Sequence, residues 1–440
     1  MKFIVALVVL VWLGLNCHAD TALPLLSGFD SARLAKCYPI RDTDSAGEAA
    51  KLIYRLRKAN PNTLKKLATA LPKEIGSATV GDVFEVEGKL EKIRQYEVPG
   101  DLSDYLDLDQ FQELVFSESP LGDVSLLVPP LDGKASREDR VASTAMLLYQ
   151  DDKRVVFAAG DAAWFPTLAS NEGIRLLTSA GVDASGIAAA ATRNRRKLEA
   201  ADGETFYSML GATTQLVTGE SLPEPKPLEP IALLEFPEEH HGDWIRMRAA
   251  TVRITKVNVT DETRRQQLGQ DHYFQIDSSG DLGKTMVKLK RPEGEPIEMS
   301  GKYPISLVSL RLPEFLESEF ESEQTVVQMI SAPVRIDGFF YRLWSYRNEF
   351  IDQRGGGSQI GPLIVVARWQ RIEPPRGDDG GIALLGYLMA GGVILAIVST
   401  FIWSRRNAVV DAKLREKQRE IDVIWAKRRQ AESTRTSTSR

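Results

Sequence analysis

The chain has 440 residues, 43% hydrophobic and 26% charged, which gives room for two or three ordinary globular domains with real cores. Its net charge is -5, and the excess of Lys and Arg beyond Ser404 leaves the rest more acidic still, which argues against nucleic acid as a partner. The cysteines are Cys17 and Cys37; losing the first with a leader excludes an intrachain disulfide.

Residues 1–19 read as a signal peptide. Lys2 supplies the positive end, Phe3 to Leu15 is an apolar run, and Cys17-His18-Ala19 offers a small-x-small cleavage site before Asp20. Leu15 and Asn16 do not suit a lipid-attachment box at Cys17. Residues 20–75 form a helical N-terminal segment, with Ala49, Leu52, Ile53 and Leu56 at helical spacing and a break at Asn60-Pro61-Asn62. Cys37 within it reads as a small, semi-buried residue.

From Gly81 the period changes to two in VFEVEGKLEKI, the mark of a strand with one wet face, and a first β-rich domain is expected over residues 76–165. Further strands are expected at Glu113–Ser117, Val124–Val128, Ala145–Gln150 and Lys153–Ala158, the last two joined at Asp151-Asp152. Adjacent carboxylates could serve acid–base chemistry; a solvated turn tip is the simpler reading. Residues 166–220 return to a helical period as a connector, where Arg193, Arg195, Arg196 and Lys197 read as a solvated positive face. Residues 221–240, opening with SLPEPKPLEP, form a Pro-rich linker.

A second β-rich domain is expected over residues 241–373. GDVFEVEGKLEKIRQYEV from Gly81 and GDWIRMRAATVRITKVNV from Gly242 share the leading Gly-Asp and the alternation after it, so a duplicated β domain is inferred. Short strands of mixed length after a long first strand suit a small barrel. Over residues 242–372 this layout resembles the OB-fold family, and the whole arrangement resembles uncharacterised single-pass bacterial envelope proteins, a likeness that implies no activity. The fold class expected is α+β: two small OB-like barrels with helical connections, plus one transmembrane helix.

That helix is Ile382–Trp403, charge-free and about 33 Å long at a rise of about 1.5 Å per residue, enough to cross a bilayer core. Asp378 and Asp379 precede it, and Arg405 and Arg406 follow. The flanks make residues 404–440 a basic cytoplasmic tail and put the domains before residue 382 outside the cytoplasm, in the periplasm of a bacterium. The lipid bilayer and an envelope protein are then the expected partners.

Chemical motifs are thin. SSGDLGKT at Ser278–Thr285 resembles a phosphate-binding loop, but Ser278 stands where Gly is required and the next residues have strand period; a Gly-rich hairpin turn is expected. His240 and His241 are adjacent, and on an extended chain they point opposite ways, so no metal site is expected. HExxH, GxSxG and CxxC are absent, and neither a catalytic residue nor a cofactor is expected.

One stretch, PVRIDGFFYRLWSYR at Pro333–Arg347, invites a binding role. Gly338 reads as a bulge or bend. Beyond it strict alternation puts Phe340, Arg342, Trp344 and Tyr346 on one face as a ligand- or partner-binding surface, with Phe339, Tyr341 and Leu343 in the core. The function expected is a non-catalytic, membrane-anchored extracytoplasmic scaffold or protein-interaction protein. The alternatives are a polysaccharide or small-ligand module using that aromatic and Arg face, and a carboxylate-dependent hydrolase.

Overall fold

The structure, a computed structural model, describes residues 21–373 apart from 73, 75, 77, 118, 120, 219–221, 290–296, 320–325 and 347–357, together with residues 389, 390, 393 and 394. The expected signal peptide, almost all of the Ile382–Trp403 run and the basic tail lie outside the described residues. Among the described residues no helix is long and apolar enough to cross a membrane, so the transmembrane part of the expected fold has no support here.

The fold is α+β, with two β-rich sheets and helices packed against both. In the first sheet β1 (Val83–Glu97), β2 (Gln110–Ser117), β3 (Asp123–Val128), β4 (Arg140–Gln150) and β5 (Arg154–Ala158) pair in the order β1-β2-β3-β5-β4. β4 then pairs back onto β1, closing the strands into a ring. Every ring pairing is antiparallel except β3 with β5. The second sheet repeats this with β6 (Trp244–Asn258), β7 (His272–Leu289), β8 (Ile297–Ser309), β9 (Pro333–Tyr346) and β10 (Gln359–Arg371), where β8 and β10 are the parallel pair. Closure removes the free edges that open sheets must protect.

The duplication inferred from Gly-Asp reaches individual hydrogen bonds. Gly81 N–H donates to Leu147 O and Leu147 N–H to Asp82 O; Gly242 N–H donates to Phe340 O and Phe340 N–H to Asp243 O. Both glycines have positive φ, 108° and 73°, a conformation that glycine adopts without a Cβ penalty. The first strands also bulge at matching points, Glu91 in β1 and Val252 in β6 being skipped in the pairing with the next strand.

Helices precede each barrel in the chain and cover it. α1 (Ser31–Cys37), α2 (Thr43–Lys58) and α3 (Pro61–Leu67) start at Asp30, Asp42 and Asn60, whose side chains accept backbone N–H groups of the first turn, each cap contributing about 1 kcal/mol. Leu34, Leu52, Ile53 and Leu56 pack on Phe111, Leu127, Leu148 and Val156 of the first barrel's outer face. After α4 (Gly100–Leu106), which joins β1 to β2, the connector holds α5 (Glu172–Ser179), α6 (Ala184–Thr192) and α7 (Gly203–Thr218). Their Ile174, Ile187, Phe206 and Leu210 belong to one cluster with Leu114 and Phe157 of the first barrel and Phe339, Tyr341 and Val365 of the second.

The Pro-rich segment is extended but docked. Pro223 O accepts the Trp244 indole N–H at 2.9 Å, Lys226–Pro227 pairs with β6, and α8 (Pro230–Glu235) buries Leu233 in the second barrel's core. SSGDLGKT is also not a hairpin turn: it lies within β7, where the pairing with β8 is irregular between Asp281 and Met286. The expected Asp151-Asp152 turn does join β4 to β5, with Asp151 Oδ1 accepting the N–H groups of Lys153 and Arg154 at 2.8 Å each.

Candidate functional site

β9 is central in its sheet, paired with β6 on one side and β10 on the other. Gly338 marks an irregularity as expected: Asp337 faces Arg368 and Gly338 faces Val366, which leaves Ala367 of β10 as the extra residue. A Cβ at Gly338 would stand 2.5 Å from Val365 O, so the close approach needs glycine. A second irregularity, invisible in the sequence, follows at once. Phe340 faces Ile364 and Arg342 faces Leu363, so Tyr341 bulges and the alternation slips by one residue.

That slip separates the four expected site residues. Phe340 is fully buried in the second barrel's interior with Val334, Ile336 and Leu343. Arg342 is also fully buried. Its guanidinium pairs with Asp202 at 2.8 Å and donates to the carbonyls of Arg193, Arg196 and Lys197. Neither residue can meet a ligand, because the segment from Arg193 to Asp202 lies over Arg342 and the barrel wall encloses Phe340. Trp344 and Tyr346 remain together, half-buried and stacked at 4.7 Å with an interplanar angle of 26°. The Trp344 indole N–H donates to Ser306 Oγ at 3.1 Å, and the Tyr346 ring lies near Gly361 of β10.

Burial pushes the Asp202 carboxyl up, but the Glu199 N–H and the guanidiniums of Arg193 and Arg342 outweigh it and hold Asp202 below the usual carboxylate range. Burial raises the Tyr346 phenol, and the nearby Asp277 charge adds to the rise. The basic stretch is therefore a strap with structural bonds. Arg193 pairs with Asp202 at 2.9 Å, Arg195 N–H donates to Leu343 O, and Ser345 N–H donates to Arg196 O. Sequence reasoning missed Asp202, which carries no motif, and also Arg253 and Asp277, bonded at 2.8 Å on the strands beside Ser306.

The histidine pair is explained by the duplication. Asp243 Oδ2 lies 2.9 Å from His240 Nδ1, and Asp82 Oδ2 accepts the Thr79 N–H at 2.8 Å at the matching point of the first barrel. His241 contacts the Phe340 ring and hydrogen-bonds Asn194, and burial lowers its pKa to about 4. Among the described residues no group of three or more His, Cys, Asp or Glu is placed to hold a metal ion. Cys37 is buried and its thiol is pushed up to about 12 by burial, which makes it a poor nucleophile at neutral pH.

A second polar cluster, also missed, lies on the first barrel. Glu113 is buried and accepts from Tyr96 Oη at 2.9 Å, Arg94 at 3.0 Å and Tyr38 Oη at 3.3 Å, while Arg154 donates to Tyr38 Oη at 2.8 Å. A carboxylate among two phenols and a guanidinium is a combination acids and bases use. Here its bonds tie the chain after α1 to β1, β2 and β5.

No family model matches the chain, and no curated protein matches it. Among solved structures it is similar to the crystal structure of a small single-stranded DNA-binding protein from Streptomyces coelicolor, at 14% identity and a TM-score of 0.16, over 31% of this chain and 98% of that one. At that TM-score the likeness assigns this chain neither a fold nor a ligand. The expected absence of a nucleic-acid partner rested on overall charge alone and is not maintained. The bilayer as a partner has no support among the described residues, where no helix is long and apolar enough to cross it.

Proposed function

We propose that the chain is a non-catalytic scaffold in which two OB-like barrels hold separate surfaces in a fixed relation. The strand order and the parallel third and fifth strands of each ring support the OB-like reading. The observation that carries the scaffold reading is the apolar cluster that fills the first barrel and continues through α5–α7 to the outer face of the second. Polar groups that could serve chemistry, Glu113 and Asp202 among them, are bound into structural contacts. Chemical crosslinking of the full chain in its native cell is the test. Crosslinks from both barrels to other molecules are expected, and intrachain crosslinks alone would sink the reading. An extracytoplasmic position rests on the sequence alone; alkaline phosphatase fused after Glu373 is expected to be active.

The stacked Trp344 and Tyr346 favour a second reading, a polysaccharide-binding strip on the second barrel. The neighbouring Arg253 and Asp277 compensate each other's charge, which suits a neutral polymer. Trp344→Ala is expected to lower retention on an insoluble glucan column at least tenfold. Unchanged retention with a folded variant would remove this reading.

A further inference from the structure

A cleft of about 340 Å³ opens at the mouth of the first barrel. Ile93 and Gln95 from β1, Gln112 from β2, and Leu131, Lys134 and Ala135 from the loop between β3 and β4 line it. Gln95 and Gln112 are register partners, so the two amides stand side by side across the strands. Gln112 is held by the Leu131 N–H, which donates to its Oε1 at 3.2 Å.

The second barrel shows what this mouth looks like when sealed. The residues matching Ile93 and Gln95 are Ile254 and Lys256, which face Ile276 and Phe274. There the connection from β8 to β9 contains a short helix, Glu314–Glu317, whose Leu316 is fully buried beside Ile254, Ile276 and Leu312. The first barrel has no helix at this point and carries a glutamine at both facing positions. Two units alike down to the bulge in their first strands thus differ at the mouth: one is plugged with apolar side chains, the other open and polar.

We propose that the mouth of the first barrel binds a sugar acid. The volume lies within the range of small-molecule sites. Ile93, Leu131 and Ala135 offer an apolar wall for the C–H face of a pyranose. Each glutamine amide supplies both donor and acceptor, as hydroxyl groups require. Lys134 is the one charged side chain in the lining and selects a carboxylate. This site is independent of the strip on the second barrel.

The test is isothermal titration of the full chain with D-glucuronate and, separately, D-glucose. Saturable binding of glucuronate at least tenfold tighter than glucose is expected. Lys134→Ala should abolish that preference, Gln95→Leu should weaken glucuronate at least fivefold, and Ala135→Trp should fill the cleft and remove binding. Trp344→Ala should leave it unchanged, so that failure here is distinct from failure of the strip. Circular dichroism checks that each variant is folded, and Gln95→Leu, at an exposed position, serves if the tryptophan disturbs the barrel. No saturable glucuronate binding, equal binding of glucose, or binding unchanged in both Gln95→Leu and a folded Ala135→Trp overturns the proposal.

Discussion

Arg342 holds a full charge where solvent does not reach, and the cost of that burial is offset by Asp202 and three carbonyls of the strap. Removing one partner of such a pair strands the other. Arg342→Ala is therefore expected to destabilise the chain by about 3–5 kcal/mol, read as a lower urea midpoint. A loss under about 1 kcal/mol would mean that the pair is not buried as described. His241 makes stability depend on pH. Its pKa is about 4 folded and about 6.5 unfolded, so between those values the unfolded chain binds the proton and the folded chain does not. Stability conferred by neutral His241 is present above about pH 6.5 and is lost as the pH falls toward about 4. At about 1.4 kcal/mol per pH unit the loss is at most roughly 3–4 kcal/mol. His241→Gln is expected to flatten the fall of unfolding free energy over that window, measured by denaturant titration at several pH values; an unchanged slope would acquit His241. None of this was legible beforehand, because no local pattern tells whether an arginine on a strand faces water or a carboxylate from 140 residues earlier.

Among the elements, the first strand of each barrel was the most readable, since alternation and Gly-Asp both come from backbone needs that are local. β9 was readable up to Gly338 and misread beyond Tyr341, because one bulged residue moves every later side chain to the other face. The helices show how closely elements approach. A Cβ on Gly173 of α5 would lie 1.9 Å from Gly242 O at the entry to β6, while one on Gly100 of α4 meets nothing within 4 Å. Gly173→Ala is expected to cost about 3 kcal/mol, as overpacking against backbone does. Gly100→Ala should be neutral or stabilising by up to about 1 kcal/mol. Thermal melts of the two variants decide it, and equal melting temperatures would contradict the α5–β6 contact.

For the molecule as a whole, the shared apolar cluster implies that the two barrels do not unfold separately. Near-ultraviolet dichroism and tryptophan emission are expected to give one coincident transition in urea. Two resolved transitions would show the joint to be weak and would remove the scaffold reading with it. The sequence by itself determined the α+β class, the two strand-rich halves, the helical runs and the repeat at Gly81 and Gly242, all of which follow from periodicity and from residues with special backbone freedom. Only the tertiary structure decided that the Pro-rich segment docks, that Arg342 is a clamp and that one barrel mouth is plugged while the other is open. Those outcomes depend on which distant side chains meet, and burial between distant segments leaves no period in the chain.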